Sequence, residues 1–373
     1  MEKILTVVGA RPQFVKAAPL VTALQKRFDH TLLHTGQHFD EAMSGAFFRE
    51  LGLPKPQIHL GLSGGSHGAM TGAMLTAIET ALQRIKPVLV VVLGDTNSTL
   101  AGALAAVKLH IPVAHVEAGL RSFDLKMPEE VNRRVTDHVS SLLFCPTKSA
   151  ARNLAREGVR KGVCVVGDIM TDALKKMRKS AQVALLDMGL PRDFYFATVH
   201  RQENTDERSR LQGILAGLGN LAHPVVLPLH PRTRARIAAF KLDLPSNIRT
   251  IEPVSYAQSL GLSLGARAVL TDSGGLQKEA FLLGRPCLTL RETTEWTETL
   301  RGGANRLVGA KAATIVRGVR ALERNPPEVK PGTIYGDGRT AERITRAIKA
   351  FLDHRSRADR LGQLKETVAI GDV

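Results

Sequence analysis

The chain has 373 residues, 43% hydrophobic and 23% charged, with a net charge of +16 and 4% aromatic residues. That length exceeds what one hydrophobic core usually supports, so two domains are expected. Few aromatics and scattered basic residues disfavour nucleic acid as a partner, and no stretch reaches the ~18 apolar residues of a membrane helix. The opening residues are too short an apolar run for a secretory signal, so a cytoplasmic protein is expected. A nucleotide diphosphate needs only two or three positive groups; a site for one leaves most of the excess charge without a task.

Residues 4–8 read as a buried strand that ends in Gly9-Ala10-Arg11-Pro12, with a helix to about residue 25. Residues 31–34 form a second strand, and 40–51 and 68–85 are amphipathic helices. Residues 88–93 (Val-Leu-Val-Val-Val-Leu) are apolar on both faces, the mark of a parallel sheet. Gly94-Asp95-Thr96 turns that strand into a helix over 98–109. Residues 112–116 are the next strand, Pro128 opens a helix as a first-turn proline does, and 142–145 and 163–166 complete this half. The pattern then restarts. Strands are expected at 195–199, 224–229, 248–251, 268–271 and 287–290, with helices at 208–221, 257–262, 276–283 and 312–322. The join falls near 167–188, and the basic stretch 339–365 reads as solvated helix surface.

This β-α repetition predicts an α/β protein of two Rossmann-like domains with parallel sheets, residues 1–170 and 171–373. The C-terminal helical segment is a candidate to pack back on the first domain. Ligands are expected in a cleft walled by the carboxyl ends of both sheets.

Several motifs lie at strand ends. Gly9-Ala10-Arg11-Pro12-Gln13-Phe14-Val15-Lys16 offers helix-start N–H groups and the Arg11 guanidinium to a phosphate, or is a tight turn with a solvated arginine. It is not a P-loop, and GxGxxG is absent, which argues against a dinucleotide cofactor. Thr271-Asp272-Ser273-Gly274-Gly275 is a second strand-to-helix turn; Ser273, Gly274 and Gly275 suit a diphosphate and Glu279 a ribose, against a plain N-cap serine. Asp95, Glu117 and Glu129 converge on one sheet edge as candidate proton-transfer groups. For Asp95 the structural alternative is helix capping; for Glu129 and Glu130 it is compensation of the helix dipole. His200 and His230 each end a strand of the second half and are either functional or bonded to backbone.

Cys145, Cys164 and Cys287 read as buried thiols. His30, His34 and His38 do not share a helix, so no metal site is expected.

With residues 9–16, 94–99, 115–122, 128–133, 272–279 and 335–338 read in order, the chain resembles the non-hydrolysing UDP-N-acetylglucosamine 2-epimerase family. The resemblance implies a GT-B (glycogen phosphorylase-like) fold and a UDP-sugar substrate. It implies elimination of UDP to a bound glycal and re-addition, with no cofactor and no metal. By matching motifs, Asp95, Glu117, Glu129 and His200 resemble the family's catalytic residues. Arg11, His230, Ser273, Gly274, Gly275 and Glu279 resemble its UDP-holding groups. A homodimer is implied as well.

Departures narrow the substrate. Gln13-Phe14, Gln37-His38-Phe39-Asp40 and Thr294-Glu295-Trp296 depart from the common pattern and resemble a subgroup acting on UDP-2,3-diacetamido-glucuronic acid. The arginine that many members carry after Gln-His belongs to a regulatory UDP-GlcNAc site and is missing here. A hydrolysing relative releasing N-acetylmannosamine and a GT-B glycosyltransferase are the competing readings.

Overall fold

The computed structural model describes residues 1–37, 48–332 and 334–370, with side chains as far as residue 357. The chain divides into two compact units, Met1–Asp172 with Gly336–Val373, and Ala173–Tyr335.

The first unit holds a 7-stranded sheet in the order β3-β2-β1-β4-β5-β6-β7. Its strands are β1 (Lys3–Val8), β2 (Asp29–His34), β3 (Ile58–His59), β4 (Leu89–Leu93), β5 (Val113–Val116), β6 (Leu142–Cys145) and β7 (Val163–Val165), and all pairings are parallel. Every residue of β4 and β5 is buried, as a strand covered on both faces requires. Val7 and Val92 pack against Ala101, Ala105 and Ala106 of the helix Asn97–Lys108. A Cβ on Gly102 would stand 3.2 Å from both valines, so the small residues bring that helix close to the sheet.

The second unit holds a 6-stranded parallel sheet in the order β10-β9-β8-β11-β12-β13. Its strands are β8 (Tyr195–Thr198), β9 (Val225–Pro228), β10 (Ile248–Ile251), β11 (Val269–Thr271), β12 (Cys287–Thr289) and β13 (Asn305–Leu307). Leu211, Ile214 and Leu218 of the helix Arg208–Gly219 and Ile315 and Val319 of the helix Ala312–Arg324 close one face.

In both sheets the strand order reverses once, between β1 and β4 and between β8 and β11. Connections leave such neighbours in opposite directions, so a crevice opens at their carboxyl ends, where ligands bind in doubly wound sheets. The loops after β1, β4, β8 and β11 are the ones that carry Arg11, Asp95, His200 and Ser273.

Some elements differ from the sequence reading. The segment read as a join contains the helix Ile169–Leu186, and the division between units falls inside it. Its Lys, Met, Ala and Leu content favours helix over linker. The helices Lys148–Arg156 and Pro231–Phe240, and strands β3 and β13, were not anticipated. Cys145 and Cys287 are buried as expected, but Cys164 is only half-buried, because β7 is an edge strand. The helix read over 40–51 is helical from 48 to 51; its earlier part, with His38, Phe39 and Asp40, lies outside the described residues. No described helix is long and apolar enough to cross a membrane.

Candidate active site

In the first unit, Asp95 follows β4 and Glu117 follows β5, so neighbouring strands present both acids. Capping of the next helix falls to Thr96, whose Oγ1 accepts from Thr99 N at 3.3 Å, which leaves the Asp95 carboxylate for other work. It lies 2.5 Å from Arg133 Nη1. Burial raises the Asp95 pKa, and the charges of Glu117 and Glu129 add to this, against the opposing pull of Arg133 and Lys16. Glu117 is buried and ion-paired to Lys16 of the helix Arg11–Leu24. Its φ of 69° is left-handed, a conformation that costs a non-glycine residue about 1–2 kcal/mol and clusters at functional sites. Two carboxylates with unlike partners therefore stand on adjacent loops.

The acidic pair at the start of the helix Pro128–Val139 divides. Glu130 is fully buried and accepts from Ser122 N at 2.8 Å and Arg133 Nη2 at 2.9 Å. Burial opposes its ionisation, but the Ser122 amide and Arg133 hold its pKa below the usual carboxylate range. It thus fixes the loop after Gly119 and aims Arg133 at Asp95. Glu129 is half-buried and close enough to Asp95 to act on its charge.

The first loop is built differently from the sequence expectation. Gln13 Oε1 accepts from Gly9 N at 2.8 Å and Ala10 N at 3.0 Å, while Gln13 Nε2 donates to Leu93 O at 2.8 Å and Thr99 Oγ1 at 3.0 Å. The amides of Gly9 and of the N-cap Ala10 are thus engaged just ahead of the helix Arg11–Leu24. Phe14 is buried with its ring 5.0 Å from that of His34.

In the second unit, buried Asp272 organises the site. Its carboxylate accepts from His200 N at 3.0 Å, Arg201 N at 3.0 Å and Asn204 Nδ2 at 3.1 Å, which fixes the loop after β8 to the loop after β11. His200 is 36% exposed, and its ring centroid lies 5.6 Å from that of His230. His230 caps the helix Pro231–Phe240: its Nδ1 accepts from Arg232 N at 3.2 Å, so its proton sits on Nε2. Ser273 is the N-cap of the helix Gly274–Leu282, accepting from Leu276 N at 3.4 Å. Nothing closer than Ser273 Oγ at 3.9 Å would meet a Cβ on Gly275, whereas one on Gly274 would fall 2.1 Å from Glu295 Oε1. Arg291 Nη1 holds Glu295 at 3.1 Å and, against its burial, keeps its pKa low. Glu279 is nearly buried and accepts from the Tyr256 hydroxyl at 3.1 Å. Trp296 is buried beneath Lys278, whose Nζ is 4.0 Å from the ring centroid.

So the first unit gathers Asp95, Glu117 and Glu129, with Arg11 opening the helix that carries Lys16. The second gathers His200, His230 and the 273–275 turn, with Glu279 on the following helix. Sequence reasoning missed Lys16, Arg133, His115, Asp137 and Asp272 as supporting groups. Arg133 could have been found from its spacing of three to Glu130 on one helix face.

Two parallel sheets, each with chemistry-bearing loops at its reversal point, define a doubly wound α/β protein of the nucleotide-binding type. Comparison with known proteins places it further. The UDP-N-acetylglucosamine 2-epimerase family model matches residues 22–349. A UDP-2,3-diacetamido-2,3-dideoxy-D-glucuronate 2-epimerase of Pseudomonas aeruginosa is 49% identical over 353 residues, covering 92% of this chain and 98% of that protein. A UDP-N-acetylglucosamine 2-epimerase of Methanocaldococcus jannaschii is 43% identical over 362 residues, covering 93% and 98%. The crystal structure of the M. jannaschii UDP-GlcNAc 2-epimerase with UDP-GlcNAc and UDP matches with a TM-score of 0.85 at 42% identity, covering 93% of this chain and 99% of that one. The chain belongs to the UDP-N-acetylglucosamine 2-epimerase family, and its fold is GT-B.

Proposed function

We propose that the chain is a non-hydrolysing UDP-N-acetylglucosamine 2-epimerase that interconverts UDP-GlcNAc and UDP-ManNAc. The observation that carries this is the pair Asp95 and Glu117 on adjacent strand ends, one crowded and raised in pKa, the other paired to Lys16. One carboxylate takes the proton on C2 while the C1–O bond breaks and its electrons leave with UDP. A C1=C2 double bond remains in the glycal. Protonation at C2 from the opposite face and return of the UDP oxygen to C1 complete the inversion. The C2 proton is weakly acidic, so a positioned base and neutralisation of the departing diphosphate are both needed. Glu129 tunes Asp95. His200 is the fourth catalytic residue of this reading; Arg11, His230 and the Ser273-Gly274-Gly275 turn hold UDP, with Glu279 on the ribose.

A second reading is favoured by the 49% identity to the P. aeruginosa relative. In it the substrate is UDP-2,3-diacetamido-2,3-dideoxy-glucuronate, whose extra carboxylate suits a strongly basic chain. Purified protein is incubated with each sugar nucleotide and the anomeric proton signals are followed by NMR. A manno-configured product from UDP-GlcNAc supports the first reading, and turnover of the uronate alone supports the second. Release of free sugar shows a hydrolysing enzyme instead. The reading further makes the chain a cytoplasmic homodimer serving polysaccharide biosynthesis, and light scattering at assay concentration tests the dimer.

A further inference from the structure

The second unit carries a groove of about 970 Å³ that has no part in the reaction above. Arg306, Arg317, Arg320 and Arg324 line it, with the amides of Asn220 and Asn325 and a floor of alanine and valine side chains. Arg317, Arg320 and Arg324 follow one face of the helix Ala312–Arg324, and Arg306 reaches in from β13.

Six other arginines of this unit are ion-paired. Arg210 meets Glu292, Arg232 and Arg236 meet Asp206, Arg234 meets Glu252, Arg267 meets Asp193, and Arg291 meets Glu203 and Glu295. Among the described residues, none of the four groove arginines has a carboxylate partner. The acid of their own helix, Glu323, is turned to the Tyr195 hydroxyl. Four like charges on one concavity repel one another, and an anion bound between them removes that repulsion. A helix carboxyl end favours a cation near Arg324, but not three more along its flank.

The groove shares no lining residue with the nucleotide-sugar residues. Asn220 and Asn325 follow the carboxyl ends of the helices Arg208–Gly219 and Ala312–Arg324. The lining also takes in Ala312 and Ala313 at the start of that second helix, so the groove follows its length.

We propose that this groove binds a small polyanion bearing two or more phosphoryl groups. Guanidinium forks match phosphate oxygens bidentately, and the volume is that of a small-molecule pocket, typically about 300–1,000 Å³. The apolar floor accepts the uncharged part of such a ligand.

The test uses the full chain with saturating UDP, so that the nucleotide-sugar site is filled. Tripolyphosphate is titrated by calorimetry at about 150 mM KCl, where dispersed surface charge is largely screened. One tripolyphosphate per chain is expected, with affinity falling at least about tenfold in the triple variant Arg317→Ala, Arg320→Ala, Arg324→Ala, equivalent to about 1.4 kcal/mol. Turnover of the UDP-sugar without added anion is expected to be unchanged in that variant, which also reports that it folds. No binding to the wild type, or equal binding to the triple variant, overturns the proposal. So does tight binding of duplex DNA when tripolyphosphate fails, since that marks a macromolecular surface.

Discussion

His115 and Asp137 form a fully buried pair, with Nδ1 and Oδ1 2.7 Å apart, while the other ring nitrogen of His115 donates to the Gly94 carbonyl at 2.7 Å. Both ring nitrogens face acceptors, the Asp137 carboxylate on one side and the Gly94 carbonyl on the other. The second Asp137 oxygen accepts from Arg121 Nη1 at 2.7 Å and Gly119 N at 3.1 Å. Burial opposes ionisation of Asp137, but His115 and Arg121 outweigh it and hold its pKa low. One histidine thereby ties the residue before Asp95 to the loop that follows Glu117.

Removing either partner should loosen both acids together. Asp137→Asn leaves buried His115 and Arg121 without their shared anion, and a loss of about 3–5 kcal/mol is expected in urea unfolding. His115→Gln keeps one donor for Gly94, and its kcat should fall at least about tenfold with little change in KM, as misplacement of catalytic groups predicts. A KM change alone in steady-state kinetics would count against this link.

The carboxylates themselves should be separable from UDP binding. Asp95→Asn and Glu117→Gln are expected to lower turnover by about 10²–10⁴. UDP affinity, read by calorimetry, should stay near that of the wild type. Lys16→Met should behave like Glu117→Gln, because it strips the buried Glu117 of its counter-ion.

Adjacent glycines should respond differently to one methyl group. Gly274→Ala would place a Cβ 2.1 Å from Glu295 Oε1, an oxygen of a carboxylate tethered by Arg291, and should lower thermal stability. Gly275→Ala meets only Ser273 Oγ at 3.9 Å. Its unfolding temperature should match the wild type, and its UDP affinity should drop if the diphosphate lies against this turn. Thermal melts with and without UDP read both effects.

Acid stability should depend on His30. Burial lowers its pKa to about 4, from 6.5, while Nε2 bonds Thr6 Oγ1 at 2.8 Å. Between these values the unfolded chain binds the proton and the folded chain does not. Stability from this group is therefore present above the unfolded pKa and lost as pH falls toward 4, by about 3 kcal/mol in all. His30→Gln, which keeps a hydrogen bond to Thr6, should show a smaller loss than the wild type between pH 7 and pH 5 in urea unfolding.

Much of the fold was legible because buried parallel strands are unbroken apolar runs. Val-Leu-Val-Val-Val-Leu announced β4 and the glycine turns announced the strand ends. Short edge strands such as Ile58–His59 carry too few residues to show a period. The placement of Arg11, Asp95, Glu117, His200 and Ser273 just after strand carboxyl ends could be read in advance because glycine turns and apolar runs mark those ends. The groups that hold them could not. His115 reads as one more strand residue, and only the fold brings Asp137 to it from 22 positions away. Gln13 shows the same limit: nothing in the sequence says that its side chain engages the Gly9 and Ala10 amides and reaches Leu93 and Thr99.

The most direct test of the central claim is NMR of the protein with UDP-GlcNAc, and separately with UDP-2,3-diacetamido-2,3-dideoxy-glucuronate, in deuterated water. The account predicts inversion at C2 of at least one substrate with deuterium entering that carbon, and loss of both in Asp95→Asn. Neither inversion nor C2 deuterium with either sugar nucleotide would contradict it.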